Sequence, residues 1–453
     1  MLIKKKELFL AFRQPYLLTG LILGLFLAVI KLVNILLIRQ GILTHLPWTF
    51  PFSVAKLHLQ APNLLLALLF LLAAVTAVLL SSRIHSTAAA VSIGWLLILF
   101  GSLSQGGVEQ AFIQPFTASG IQYYHDALAV TDDAAFLSTF NEAQSTLGIH
   151  ARTHPPFAVL THYWLLQAGS NHPWLLSAVF SLISLLSLVV LAVMLGWLNT
   201  PRQRQIPLLL LAALLPAVNI YTIVSLDGVI LLFATLYLAG MVAWVTGKPA
   251  MISLLLLTIS LAGMNLLSFG GLFLLALGGL YALHQFFTLK KPAFLLLYLA
   301  SAAIVGLLML LLDVGFQYNH LQAFLTASAI ENPGGFALFH HPLRYFVTRF
   351  EGIIEVLVFL GLPAAGHLLR RETWRQLHTN QHGTPLALLA LFIFLLMLLT
   401  GAYQTGETAR AGLFLYPYLI LLLNDTFQGN LKPLMLLTAL QTAVMQGLWS
   451  FFW

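Results

Sequence analysis

The sequence predicts an all-α polytopic membrane protein, a bundle of about 13 transmembrane helices with a large extracytoplasmic loop that contains interfacial helices. Hydrophobic residues make up 60% of the 453 residues and charged residues only 8%, which is more apolar surface than a soluble domain can bury. Apolar runs of roughly 20 residues, the length that crosses a bilayer as a helix, recur from end to end. The runs do not alternate with a period of two, so they indicate helices and not a barrel.

The predicted spans cover most of the chain, which we expect to form one transmembrane domain, residues 1–453. The first run follows a basic N-terminus, but it is longer than the apolar core of a signal peptide and lacks a small-residue cleavage site, so we expect it to be retained. In order, the predicted spans are 16–38, 62–80, 88–105, 173–197, 206–224, 226–246, 249–266, 268–287, 293–313, 351–369, 385–402, 411–424 and 432–451.

The distribution of basic residues predicts the orientation of these spans. Fourteen of the 21 lysines and arginines fall on the side of the N-terminus and six on the other. By the positive-inside rule the N-terminus is cytoplasmic, and loops 106–172, 314–350 and 400–412 face outward from a bacterial-type inner or plasma membrane. The basic residues are scattered beside span ends, which is typical of topology signals and argues against a nucleic-acid partner. The chain has no cysteine, which excludes disulfides and thiolate chemistry.

One polar block, Gln122–Leu166, interrupts the apolar sequence and is predicted to be the active-site loop. It contains four of the 14 carboxylates and four of the 15 histidines. Asp126, which follows Tyr124 and His125, is the candidate general base. The pair Asp132-Asp133 precedes an apolar run, as at a helix N-terminus, and is the alternative base.

Two features close the polar block. His150 and His154 have the spacing of a metal-binding pair on a helix, but Pro155 disfavours the helical conformation at His154, so a hydrogen-bonding role is the stronger expectation for at least one of them. The run Phe157–Ala168 is too short to span a bilayer and is predicted to be an interfacial helix.

A second group of charged residues lies at the predicted outer ends of later spans. Glu407 and Arg410, three residues apart, form either a local ion pair or part of a phosphate site. Asp227 lies in the sequence SLDG, where a turn is the default interpretation. Lys31 lies within the first predicted span, near its outer end, where a lysine can extend to the interface.

This pattern resembles the GT-C superfamily of integral-membrane glycosyltransferases, which includes protein O-mannosyltransferases and the aminoarabinose transferases of lipid A. The resemblance rests on Asp126 followed by His154-Pro155-Pro156-Phe157, and on GETAR at 406–410 before a span that contains Pro417. The turns SLDG at 225–228 and SFGG at 268–271 are also similar. Many relatives have an adjacent Asp-Glu pair, whereas Ala127 follows Asp126 here.

The resemblance implies transfer of a sugar from a polyprenyl-phosphate-linked donor to an extracytoplasmic lipid, glycan or protein, with inversion. Asp126 would be the base, and Arg410, with Arg152, His154 or Lys31, would stabilise the leaving phosphate. No cofactor is required by the resemblance, although a divalent cation, Mg or Mn, is compatible with it. The partners are the donor, the acceptor and the bilayer. The remaining residues that the resemblance assigns to substrate binding are Tyr124, His125, His150, Asp227 and Glu407.

Three other classes of protein compete with this interpretation. A transporter or flippase of a lipid-linked substrate would need mid-membrane carboxylates or inverted repeats, and the sequence shows few of the former and none of the latter. A glycan polymerase or ligase of a different membrane fold would use outer arginine and histidine instead of a carboxylate base. A non-catalytic scaffold leaves the outer acids and histidines unexplained.

Overall fold

The computed structural model describes residues 15–40, 56–117, 121–223, 226–290, 292–376, 383–403 and 407–451. Within these ranges the regular secondary structure is helical apart from two short paired strands, β1 (Lys56–Leu57) and β2 (Trp449–Ser450). In chain order the helices are α1 Pro15–Arg39, α2 Ala61–Leu80, α3 Thr87–Leu103, α4 Val108–Phe112, α5 Gln114–Thr117, α6 Tyr124–Ala129, α7 Asp133–Ala143, α8 Phe157–Ala168, α9 Pro173–Trp197, α10 Arg202–Leu214, α11 Pro216–Tyr221, α12 Asp227–Val245, α13 Ala250–Leu267, α14 Gly271–Leu289, α15 Ala293–Phe316, α16 His320–Glu331, α17 Ala337–His340, α18 Pro342–Phe359, α19 Leu362–Leu368, α20 Arg371–Gln376, α21 Gly383–Leu399, α22 Thr408–Ala411, α23 Tyr416–Thr426 and α24 Leu431–Leu448.

Six described helices, α2, α9, α12, α13, α14 and α15, are long and apolar enough to cross a membrane. Shorter apolar helices lie at the start of α1, in α3, in α21 and in the segment that contains α23. The chain is therefore an all-helical, multi-pass membrane protein, as the composition predicts. The count of about 13 spans stays a prediction.

Two local predictions of helix bounds in the polar block are confirmed. The run Phe157–Ala168 is a helix, α8, with the predicted bounds, and its position at the membrane interface stays a prediction. Helix α7 begins at Asp133, and the carboxylate of Asp132 accepts the N–H of Ala135 over 2.7 Å. Asp132 is thus an N-cap, which satisfies one of the donors that the first helical turn leaves unpaired.

The predicted span 206–224 is two helices, α10 and α11, because the sequence contains a proline in its middle. Pro216 has no N–H and cannot continue the hydrogen-bond ladder of α10. The side-chain amide of Asn219 donates to the Ala213 carbonyl over 3.0 Å and to the Leu97 carbonyl of α3 over 3.2 Å. A Cβ at Gly101 would lie 2.0 Å from Asn219 Oδ1, so glycine lets α3 pack against this break.

The predicted span 351–369 is also different in the structure. Helix α18 begins earlier, at Pro342, and Gly361 with φ +94° separates it from α19. The apolar residues Leu343 and Phe346 of α18 are exposed, whereas Glu351 and Glu355 are buried. The helix therefore turns its polar side inward, the arrangement expected of a helix with an apolar exterior around a polar interior.

Candidate functional site

The polar block packs against the segment that follows α15 at one end of the bundle, here called the loop end. The side-chain amide of Asn141 donates to the Asn319 carbonyl over 2.9 Å. The side-chain amide of Gln144 donates to the Ala323 carbonyl over the same distance. These contacts join α7 and the turn after it to α16, so the two polar segments form one layer over the helix ends.

An ion pair beneath this layer joins Arg410 to Asp227. Arg410 Nε donates to Asp227 Oδ2 over 2.7 Å, and the two side chains are only 11% and 12% exposed. Asp227 is the first residue of α12, where the helix dipole favours a carboxylate. The two residues that were predicted to bind substrate separately are therefore partners. The alternative of a simple Glu407–Arg410 pair is incomplete, because the hydrogen-bonded acid is Asp227.

Glu407 contributes a second carboxylate to the surroundings of Arg410. Burial lowers the pKa of the Arg410 guanidinium, but the carboxylates of Asp227 and Glu407 outweigh that effect and raise it. Burial raises the pKa of Glu407, whereas the positive charge of Arg410 opposes that shift. Arg410 is consequently a permanent cation, paired with Asp227 and influenced by the charge of Glu407, in a buried site.

Tyr123, and not the predicted Tyr124, connects the polar block to this charged group. The Tyr123 ring lies 6.2 Å from the His150 ring, 5.6 Å from the His154 ring and 5.1 Å from the His162 ring, measured between centroids. Burial and the negative charge of Asp227 raise the Tyr123 pKa. Tyr123 is only 3% exposed, so it stays a neutral phenol beside the histidines.

The histidines at this site are neutral, and the backbone fixes the tautomer of His154. His154 Nδ1 lies 2.9 Å from the carbonyl oxygen of His150, so Nδ1 carries the proton and Nε2 is the acceptor. The predicted hydrogen-bonding role is thereby confirmed for His154. Burial lowers the pKa of both His150 and His154, and the nearby charge of Arg410 lowers it further.

Asp126 occupies a separate position on α6, where it accepts a backbone hydrogen bond. The N–H of Gly148 lies 3.1 Å and 3.3 Å from its two carboxylate oxygens. A Cβ at Gly148 would lie 2.6 Å from Asp126 Oδ2, so glycine lets the carboxylate keep this position. Burial raises the Asp126 pKa, while the Gly148 N–H and His125 oppose the shift.

The other candidates in the polar block have more local contacts. His125 is exposed, and its Nε2 lies 3.2 Å from the Thr117 carbonyl. The Tyr124 ring packs against the His125 ring at 5.3 Å. Asp133 accepts the indole N–H of Trp164 over 3.0 Å.

Two buried carboxylates lie on α18, and neither is among the site residues predicted from the sequence. Glu351 and Glu355 are 2% and 1% exposed. Glu355 Oε2 accepts the N–H of Thr408 over 3.1 Å, and Thr408 begins the short helix that carries Arg410. The helical spacing of Glu351 and Glu355, four residues apart in an apolar stretch, was the available signal. Arg349 of the same helix donates to the carbonyls of Leu398, Ala402 and Tyr403 and so caps α21.

A cavity of about 900 Å³ opens beside this site, between the polar block and the α16–α18 region. Its wall includes Arg152, Glu331, His340 and His341, but neither Asp126 nor Arg410. Burial raises the pKa of Glu331, and the positive charge of Arg152 partly opposes that shift. Glu331 also interacts electrostatically with Glu407, so the cavity adjoins the Asp227–Arg410 group.

Parts of the predicted site lie outside the described residues. These are Ser225 of the SLDG turn and residues 404–406, which include the glycine of GETAR. The side chain of Lys31 also lies outside the described part of the structure. No group of three or more histidine, aspartate or glutamate side chains within the described ranges is arranged to hold a metal ion. No family model, curated protein or solved structure matches this chain.

Proposed function

We propose that this chain is an inverting membrane glycosyltransferase that moves a sugar from a polyprenyl-phosphate-linked donor to an acceptor at the loop end. The observation that carries the proposal is the buried Arg410–Asp227 pair beneath a layer of acids, histidines and tyrosine. A charge of this kind inside a membrane protein indicates a functional site, because it is expensive to keep in an apolar bundle. The excess of basic residues at the opposite end supports an outward-facing loop end.

In this proposal, Arg410 stabilises the phosphate that leaves the sugar. A guanidinium matches the geometry of phosphate oxygens and keeps its charge at every physiological pH. Its hydrogen bond to Asp227 fixes its position before the substrate binds, so little reorganisation is needed as charge develops on the phosphate. Asp227 is therefore a positioning residue.

Asp126 is the proposed base, and its contacts favour it over the alternatives. Asp132 caps a helix and Asp133 accepts an indole N–H. Asp227 is already paired with Arg410, because its Oδ2 accepts the Nε–H of that residue. Burial raises the Asp126 pKa towards the operating pH, which improves a general base.

The reaction that follows is a single displacement. Asp126 takes the proton of an acceptor hydroxyl or amine as the oxygen or nitrogen of that group bonds to the anomeric carbon of the sugar. The bond from that carbon to the phosphate oxygen breaks, and polyprenyl phosphate leaves with the electron pair. The acceptor nitrogens of the neutral histidines, His154 above all, bind sugar hydroxyls. The cavity of about 900 Å³ has the size of a small-ligand site and is where we expect the acceptor to enter.

Turnover of defined donors by the purified chain tests this function. The protein in lipid nanodiscs is supplied with a panel of polyprenyl-phosphate sugars, and donor binding and release of polyprenyl phosphate are measured. Asp126→Asn is expected to slow release by about 10²–10⁴-fold with donor binding retained, whereas the cap variant Asp132→Asn turns over normally. Failure of the wild type to bind any donor would refute the function. Normal turnover by Asp126→Asn would refute the base.

A transporter of a lipid-linked substrate is the second candidate, because Glu351 and Glu355 are buried acids that face the bundle interior. Buried carboxylates are the groups through which secondary transporters couple to protons. Proton uptake into liposomes that depends on a lipid-linked sugar, without release of polyprenyl phosphate, would favour this candidate.

A further inference from the structure

A second cavity, of about 650 Å³, lies at the end of the bundle opposite the polar block. It is bounded by the turn after α2, the start of α10 and the start of α24. Helix α3 leads from this end, at Thr87, to Leu103, which directly precedes the segment that enters the polar block. The cavity is therefore separate from the site proposed for sugar transfer, and the proposed reaction does not use it.

The wall of this cavity is strongly positive. Arg202, Arg204 and Lys432 line it together with His85, and its wall contains no carboxylate. Asp425 interacts electrostatically with Arg204, but its Oδ2 accepts the Thr384 hydroxyl over 3.0 Å and it is not part of the wall.

Two of the positive groups, Arg204 and Lys432, are held in place by hydrogen bonds to neutral oxygens, and Asp425 offsets part of the Arg204 charge. Arg204 donates to Asn424 Oδ1 over 3.1 Å and also to the Asn424 and Phe427 carbonyls. Lys432 Nζ lies 3.5 Å from Ser82 Oγ and from the Leu79 carbonyl. Three cations around one cavity repel each other, and an anion relieves that repulsion.

The cavity lies where apolar surface changes to polar surface. Helix α2 ends in Leu79 and Leu80, which are 41% and 42% exposed, and the cavity wall begins at Ser81. Ile84 and Leu431 add apolar surface to the same wall. A molecule with a phosphate head and an acyl chain can place the head among the cations while its chain lies along the exposed leucines.

We propose that this cavity binds a phosphate anion, and the adjacent leucines point to the headgroup of an anionic lipid as its source. Basic pockets between membrane helices commonly recognise such headgroups. The site would anchor the end of the bundle that is distant from the catalytic layer, independently of whether sugar transfer takes place.

Binding of short-chain lipids to the full chain in detergent tests the proposal. Dihexanoyl phosphatidylglycerol, dihexanoyl phosphatidylcholine and glycerol phosphate are titrated separately, and bound ligand is counted by native mass spectrometry. The test variant carries Arg202→Gln and Lys432→Gln. The control carries Arg371→Gln and Arg375→Gln, which remove two exposed charges from the same end outside the cavity. A third variant, Arg202→Lys with Lys432→Arg, keeps the charge.

The wild type, the control and the charge-keeping variant are expected to bind phosphatidylglycerol in preference to phosphatidylcholine. The test variant should bind phosphatidylglycerol roughly thirtyfold more weakly, since each basic residue near a membrane surface contributes about fivefold. Equal binding of glycerol phosphate would support the cavity but identify a soluble anion as the ligand. Equal affinity of test and control variants for phosphatidylglycerol, or no preference for it in the wild type, would overturn the proposal.

Discussion

Arg410 donates its Nε–H to the carboxylate of Asp227 over 2.7 Å, although 183 positions separate the two residues in the chain. Removing one partner of a buried pair leaves an uncompensated charge. We expect Asp227→Asn to reduce the free energy of unfolding by about 3–5 kcal/mol, measured by denaturation in detergent. The double variant Asp227→Asn with Arg410→Gln should be less destabilised than the sum of the single variants. Additive losses would show that the two residues are not coupled.

Gly148 is predicted to set the position of the Asp126 carboxylate. A Cβ there would be 2.6 Å from Asp126 Oδ2, whereas ordinary contact begins at 3.4 Å, so Gly148→Ala must move the carboxylate. A displacement of nearly an ångström is expected to slow sugar transfer by about 10²-fold, measured as kcat. Gly306→Ala, where no atom lies within 4 Å of the new Cβ, is the matched control. Unchanged kcat in Gly148→Ala would argue against Asp126 as the base.

The pH profile of transfer should report the environment of Asp126. A base works only when deprotonated, so activity falls as the pH drops through its pKa. Because burial raises the Asp126 pKa above 3.8, the acid limb of kcat/KM should lie above pH 3.8. A limb at or below this value would be inconsistent with a half-buried base.

His162 is predicted to make the fold sensitive to acid. It is 1% exposed, and burial lowers its pKa from 6.5 to about 4. Between pH 6.5 and 4 the unfolded chain binds a proton that the folded chain does not, so stability falls as the pH falls through this window. The contribution of His162 is on the order of 3 kcal/mol.

The variant His162→Phe suits the aromatic surroundings of Phe116, Tyr123 and Phe180. Its melting temperature should decline less than that of the wild type between pH 6.5 and 4. An identical decline in both proteins would assign the acid sensitivity to other groups.

Glu355 is expected to position Arg410 through the backbone of Thr408. Glu355→Ala removes the acceptor of the Thr408 N–H and should weaken donor binding together with kcat. A hydrogen bond of this kind is worth about 0.5–1.5 kcal/mol, so the loss in kcat/KM is roughly 2–12-fold. Glu355→Gln keeps an acceptor and should recover part of the loss. If proton-coupled transport is abolished by both variants, the carboxylate itself is required and the second candidate function is favoured.

The sequence by itself determined the features that depend on neighbouring residues. Composition required membrane helices, because so many apolar side chains cannot be buried in a soluble domain. The bounds of α8 and α9 agree with the predicted segments, and Asp132 caps α7 as its position before an apolar run suggests. Helix length, capping and proline effects act over a few residues, so they can be read along the chain.

Only the tertiary structure decided which polar groups meet. The partner of Arg410 is Asp227 and not only the nearby Glu407, Tyr123 and not Tyr124 faces the histidines, and Glu355 turns inward to hold Thr408. Each of these outcomes depends on the rotation and relative height of helices that are distant in sequence. In apolar helices nearly every face can be buried, so hydrophobic periodicity does not fix that rotation, and the packing of the whole bundle does.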